Sequence, residues 1–331
     1  MRRRLLRAVS VTAVGLSIMT GAACTSSSSA LPKVSGLEKT NLTVAAVPVA
    51  DEAGLYIAQD QGLFAAEGLH VTIQSIVSSA DATNGQNSGK YDITAGDAVS
   101  YVQAQAAHQS DLEIVAEGSL MQADNQALYT LPTSPIKTIA DLKGRTIGVN
   151  VTNNIGTLLI SSVLAEHGLS AKRVKFVAVP FPNMAQALQQ GSIDAAWLPE
   201  PFGSVGAENM GLAELTDLDQ GATESFPVGW YVATKTWAKK YPRTLAAFLV
   251  ALKQGQQIAD DSRTAVEQAM EKLPPPYTVP PAIASVMSVE TYPLSVAPDI
   301  DLPRVQRVAN EMYQFHMLTQ PFQVSTMLGG L

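Results

Sequence analysis

The sequence predicts an α/β protein built as two lobes, and three features of its 331 residues carry that expectation. Short apolar segments alternate with helical ones from Asn41 to Leu218, an order that favours parallel strands covered by helices. A proline-containing stretch, Leu131 to Pro135, divides this alternation into two runs, as a boundary between two domains would. Beyond Trp230 the pattern turns helical with no third sheet, so the last helices are expected to pack on a lobe already built.

Taken in order, Asn41–Val49 reads as a buried strand. Asp51–Gly68 follows as a helix with Leu55, Ala58 and Leu63 on one side and breaks at Gly62 and Gly68. Leu69–Val77 returns as a strand, alternating at Val71 and Ile73. Ser78–Lys90 opens a short helix, Tyr91–Ala95 is a strand, Ala98–His108 a helix, and Leu112–Gly118 and Gln126–Leu131 are strands. After Pro135 come a short helix at Thr138–Gly144, a strand at Thr146–Asn150 and a helix at Gly156–Gly168. The order repeats: strand Val174–Val179, helix Asn183–Gly191, strand Asp194–Leu198, helix from Pro201, strand Ala213–Leu218. The chain is expected to cross back near Trp230, and Pro242–Ser262, Thr264–Lys272 and Leu302–His316 read as helices. Pro303 suits the first turn of the last, where its missing N–H costs nothing. This places lobe 1 at residues 41–127 and 231–331 and lobe 2 at 128–230.

Apolar residues make up 46% and charged ones 15%, enough to bury a core and too apolar for disorder. A formal net charge of −7 argues against nucleic acid, which needs a basic face. At the N-terminus, Arg2, Arg3, Arg4 and Arg7 precede a short apolar stretch, Ala8–Met19, and the small residues Thr20–Ala23. Residues 1–23 therefore read as a signal peptide, too short and wrongly flanked for a spanning helix. Cys24 is the only cysteine, so it forms no internal disulfide. Its place after small residues resembles a bacterial lipobox, with Gly21 where leucine is usual. An acyl chain such as palmitate on Cys24, and a plain secretory signal, both remain open. Residues 24–40 read as a lipidated, flexible tether. The expected localisation is the extracytoplasmic face of the cell membrane, held by lipid alone.

Enzyme motifs are missing. Neither G-x-G-x-x-G nor G-x-x-x-x-G-K-[ST] occurs, and Gly203–Gly206 (GSVG) is no nucleophile elbow. The histidines His70, His108, His167 and His316 stand far apart, without metal-ligand spacing. No catalytic residue, metal or cofactor is expected. What remains is a set of polar loops at the carboxyl ends of predicted strands, where open α/β sheets bind ligands. These carry Asp51 and Glu52; Ser79 and Ala80; Asp97 and Ala98; Asn153, Asn154, Gly156 and Thr157; and Glu200. Asp51, Asp81, Asp97 and Asn154 are also good helix N-caps, so capping and ligand binding stay open for each.

Three stretches resemble one family. Asp51–Val71 (DEAGLYIAQDQGLFAAEGLHV), Asp141–Val149 (DLKGRTIGV) and Ala187–Phe202 (ALQQGSIDAAWLPEPF) are similar to substrate-binding proteins of ABC importers. The family is the one joining sulfonate, taurine and nitrate binders with binders of pyrimidine precursors of thiamine. The resemblance implies a two-lobed periplasmic-binding-protein-like (type II) fold, with two crossover strands near Ala127–Thr130 and Trp230–Ala233 and a cleft between the lobes. It implies a monomer that captures a small polar metabolite, an aliphatic sulfonate or taurine-like compound, and delivers it to an ABC permease with its ATPase subunits. A thiamine-precursor pyrimidine is the alternative, and an exported enzyme a more distant one. No Arg or Lys falls in the ligand loops, whereas the nitrate branch uses basic residues. In this reading Asp51, Asp97 and Glu200 accept from ligand donors, amides around Asn154–Thr157 hold an anionic or carbonyl end, and Trp230 offers a flat face.

Overall fold

A computed structural model of the chain describes residues 34–329. The expected signal peptide, Cys24 and most of the tether lie outside the described residues. The described strands, in chain order, are β1 (Asn41–Ala46), β2 (His70–Ser75), β3 (Ile93–Asp97), β4 (Leu112–Leu120) and β5 (Gln126–Thr130). They continue as β6 (Thr146–Val149), β7 (Lys175–Ala178), β8 (Ala195–Pro199), β9 (Ala213–Asp217) and β10 (Pro227–Thr234). The first sheet has the order β2-β1-β3-β10-β4 and the second β7-β6-β8-β5-β9. Each lobe thus repeats one topology, with a strand arriving from the other half inserted beside the edge.

That insertion corrects the expectation of parallel sheets. β1 runs parallel to β2 and β3, and β6 to β7 and β8. β10 is antiparallel to β3 and β4, and β5 to β8 and β9. A strand delivered from the other lobe by a short connection has no crossover helix to turn it parallel. The connections themselves are residues 121–125 and 218–226. β5 and β10, expected to cross between lobes, therefore each lie wholly within one sheet.

The helices are α1 (Ala53–Asp60), α2 (Leu63–Ala66), α3 (Ser79–Asn87), α4 (Ala98–Ala106), α5 (Ile155–Glu166) and α6 (Phe181–Gln189). Then come α7 (Phe202–Met210), α8 (Lys235–Lys240), α9 (Pro242–Asp261), α10 (Arg263–Glu271), α11 (Pro281–Ala284) and α12 (Leu302–Gln314). The helix expected over 51–68 is broken in two because Gly62 takes φ 71°, a left-handed conformation, and it ends at Gly68. Thr138–Gly144 tightens to a 3-10 turn at Ile139–Leu142, closed by reciprocal hydrogen bonds between Thr138 and Asp141.

The C-terminal helices complete the first lobe: α9 packs along α1 and α2, α10 along α1, and α12 along α4 and β10. Leu42, Val44, Ile93 and Ala95 of the sheet are buried against Leu55, Phe64, Phe248 and Leu252. Phe64 and Phe248 stack with centroids 5.1 Å apart. Gly54 and Gly255 let α1 and α9 cross closely, since a Cβ on Gly54 would meet the Gln256 backbone at 3.0 Å. The tether ends earlier than expected. Glu38 accepts hydrogen bonds from Arg243 Nε (2.9 Å) and Thr244 N (2.9 Å) at the start of α9, so residues 38–40 are docked, not free.

Candidate functional site

A small cleft lies between the carboxyl ends of β1 and β3 in the first lobe and β6 and β8 in the second. The two lobes line it differently. Lobe 1 supplies Asp51 and Glu52 from the turn after β1, Ser79 from the start of α3, Gly96 and Asp97 from the end of β3, and Gly229 of β10. Lobe 2 supplies Gln126, Asn150, Asn154, Ile155, Phe181, Trp197 and Pro199.

Capping holds these loops in place. Ser78 Oγ accepts from Asp81 N at 3.2 Å and so caps α3, leaving the next hydroxyl, Ser79 Oγ, to accept from Asp97 N at 2.8 Å. Asp97 caps α4 by accepting from Ser100 N and Ser100 Oγ, both at 2.8 Å. Asn154 Oδ1 accepts from Thr157 N at 3.2 Å to cap α5, and Asn154 Nδ2 donates to Asn150 Oδ1 at 2.6 Å. Asp97 and Asn154 thus cap helices and line the cleft together, which answers the alternative posed by the sequence. Asp81 and Asp51 are not N-caps.

A hydrogen-bonded chain crosses the cleft floor. Trp197 Nε1 donates to Gln126 Oε1 at 3.1 Å, Gln126 Nε2 donates to Asp51 Oδ1 at 3.4 Å, and Ser119 Oγ donates to the same oxygen at 2.9 Å. Beside it, Glu52 is 1% exposed and faces Tyr231, and its Oε2 has no partner among the described residues. Glu290 lies behind Asp51, against the Asn125 amide. Burial pushes the carboxyls of Asp51, Glu52, Asp97 and Glu290 above the usual range, and the Asp51 charge adds to the rise at Glu52 and Glu290. No lysine or arginine lines the cleft.

Of the predicted residues, Asp51, Glu52, Ser79, Asp97 and Asn154 come together in the lining. Ala80 is exposed on α3 and Ala98 is buried at the start of α4. Asn153, exposed with φ 60°, uses its carbonyl to accept from Gln103 Nε2 of the other lobe at 2.8 Å. Thr157 N is taken by Asn154, so one of the amides expected to grip an anion already has an acceptor. Gly156 is needed where it stands: a Cβ there would overlap the Trp197 ring. Glu200 is spent on closing the lobes. Its carboxylate accepts from Ser204 Oγ (2.7 Å) and Ser288 N (3.3 Å), and its carbonyl from Ala50 N (2.9 Å).

Trp230 is the clear misplacement. It is fully buried and does not line the cleft, whereas its strand neighbours Val228 and Gly229 do, β10 being irregular on either side of Gly229. The flat face is Trp197, which shares its strand face with Pro199 and meets Phe181 edge-on at 5.3 Å. Gln126 was also missed, although a glutamine opening an otherwise apolar strand is a signal in itself. Glu290 sits in a Pro- and Ser-containing segment with no readable pattern. Among the described residues no group of three or more His, Cys, Asp and Glu is disposed to hold a metal ion, and no helix is long and apolar enough to cross a membrane.

A family model described as "NMT1/THI5 like" matches residues 49–262. Among curated proteins the chain is similar to the nitrate import ATP-binding protein NrtC of Synechocystis sp., 26% identical over 69% of this chain and 36% of that one. It is also 26% identical to the 4-amino-5-hydroxymethyl-2-methylpyrimidine phosphate synthase of Uromyces fabae, over 61% of each chain. The chain therefore spans only about a third to three-fifths of these relatives. Among solved structures it is similar to the alkanesulfonate-binding protein SsuA from Xanthomonas axonopodis pv. citri bound to MOPS. The TM-score is 0.74 at 17% identity, covering 89% of this chain and 99% of that one, a likeness of fold.

Proposed function

The chain belongs to the NMT1/THI5-like family, and we propose that it is an extracytoplasmic solute-binding protein that captures a compact, flat, nitrogen-bearing metabolite for an ABC importer. The observation that carries the ligand class is the cleft's charge: Asp51, Glu52 and Asp97 line it, and no basic residue does. Carboxylates accept hydrogen bonds and favour a cation or an amine-bearing ring. Trp197 and Phe181 supply the flat apolar wall such a ring needs. An aminopyrimidine meets both demands. A bare sulfonate or nitrate brings neither a donor for Asp51 and Asp97 nor a ring for the aromatic wall, and no lysine or arginine lines the cleft to hold it. The pyrimidine alternative thus displaces the sulfonate as the favoured reading.

Delivery to a permease with ATPase subunits, lipid attachment through Cys24 and a place on the outer face of the cell membrane complete the proposal. They rest on the family, the lipobox-like N-terminus and the relative named for nitrate import.

A thermal-shift screen of the chain with 4-amino-5-hydroxymethyl-2-methylpyrimidine, taurine, methanesulfonate and nitrate tests the ligand class. A ligand at 100 times its Kd stabilises by about 2.7 kcal/mol. A shift with the pyrimidine, recovered chemically unchanged, supports the reading. Shifts with the sulfonates or nitrate alone overturn it.

A further inference from the structure

Behind the inner wall of the cleft two carboxyl groups meet. Asp51 reaches there from the turn after β1, and Glu290 from the segment that follows α11, whose Thr291 bridges to Leu120 at the end of β4. Each is 5% exposed. Ser119 and Gln126 donate to Asp51 alone, and neither oxygen of Glu290 receives a well-aligned hydrogen bond from the described residues. The titratable groups that face the pair are Glu52 on the same turn, Asp97 at the β3–α4 junction, Tyr56 on α1, Tyr231 on β10, Tyr292 beside Glu290, and Asp260 on α9. None is a lysine or arginine, and Glu117 on β4 is already paired with Arg304. Two ionised carboxylates in contact, away from water and without a countercharge, repel strongly. A second feature points outward: Glu52 is 1% exposed, lines the cleft, and its Oε2 has no donor.

We infer that Asp51 and Glu290 hold one proton between them, and that the cleft trades this proton for the positive charge of its ligand. The inference rests on the proposed cationic or amine-bearing ligand and adds what the protein gives up to bind it. Asp51 lines the cleft and Glu290 does not, so a cation reaching Asp51 supplies the missing countercharge to both. The proton passes to solvent, the pair goes from one negative charge to two, and the ligand brings one positive charge. The exchange leaves the net charge of the cleft unchanged. Glu290 acts as a positioning and selecting residue: with it, cations are preferred over neutral isosteres because only they replace the proton.

The test uses the full chain and two arms. Infrared spectra at pH 7 should show a protonated buried carboxyl that bleaches as pH rises, with one carboxyl's intensity lost in Glu290→Gln; the wild-type pH series alone serves if that variant does not fold. Calorimetry with benzamidine, a permanent cation, in buffers of differing ionisation enthalpy should report one proton released per molecule bound. Benzamide, its neutral isostere, should release none. Benzamidine affinity should rise about tenfold per pH unit while the pair holds its proton, and Glu290→Gln should flatten that rise. No protonated carboxyl at pH 7, or benzamidine bound without proton release, overturns the exchange while leaving the ligand class standing. Failure of both benzamidine and the aminopyrimidine to bind overturns the ligand class, and the exchange with it.

Discussion

Raising the pH from 5 to 7 should weaken this fold, the reverse of ordinary acid denaturation. The perturbation acts on carboxyls that keep their proton when buried and lose it when the chain unfolds. Glu52 is the clearest: burial, and then the neighbouring Asp51 charge, lift it well above its ordinary value of 4.5. Between that ordinary value and the raised one, the native state binds more protons than the unfolded state, so stability falls as pH rises. One retained proton gives a slope of about 1.4 kcal/mol per pH unit. A second proton, shared by Asp51 and Glu290, doubles that slope. Glu38 does not offset this. Burial pushes it up, but hydrogen bonds from Arg243 and Thr244 hold it at about 2, so its contribution is lost only below the ordinary carboxylate range. Urea denaturation at pH 5, 6 and 7, followed by tryptophan fluorescence, measures the slope. Glu52→Gln should be more stable than wild type at pH 7, with a slope shallower by about 1.4 kcal/mol per pH unit. A wild-type stability that is flat or rising over this window would refute the reasoning.

Gly156→Ala should drive a methyl group into the Trp197 ring, costing about 1–3 kcal/mol; thermal unfolding and ligand affinity should fall together, and an unchanged melting temperature counts against the close approach. Arg304→Ala leaves Glu117, 1% exposed, without its counter-ion, and should cost about 3–5 kcal/mol by chemical denaturation at pH 7. Glu200→Ala strips Ser288 N of its acceptor in the seam between the lobes, so affinity should drop by about 1–3 kcal/mol with a larger radius of gyration in solution scattering; equal affinity would mean the seam does not govern closure.

Local features were legible in the sequence where one or two residues decide them. Gly62 and Gly68 both adopt positive φ and break the chain where expected. Asp97 and Asn154 begin helices because a short polar side chain can serve the first free amides. What escaped notice depends on register or on distance along the chain. Trp197 and Trp230 look alike in sequence, and only the phase of each strand decides which one faces the cleft. The antiparallel insertion of β5 and β10 follows from how the lobes exchange strands, which no local pattern encodes. Glu290 meets Asp51 only after α9, α10 and α11 have wrapped the first lobe, so nothing near either residue announces the pair.

The unequal lining of the cleft bears on how closure can depend on the ligand. Every lining carboxylate belongs to lobe 1, whereas lobe 2 brings Trp197, Phe181 and the amide side chains of Gln126, Asn150 and Asn154. A ligand favours the closed form only through contacts that both lobes make at once. On the proposed reading, a cationic ring meets Asp51 first, since the charge Asp51 shares with Glu290 acts at longer range than ring contact, and Trp197 and Phe181 can cover it only once the lobes meet. A neutral apolar ring would gain the aromatic wall but leave the carboxylates of lobe 1 dehydrated and unpaired on closing. A bare anion would be opposed before closure began. The same division explains why Gln126 matters despite lying outside every predicted loop. It is the one side chain of the lining that donates to the lobe 1 acid while accepting from the lobe 2 indole. Through it, the position of Trp197 is tied to the state of Asp51, and a ligand that changes the charge at Asp51 changes the bond that sets the flat wall.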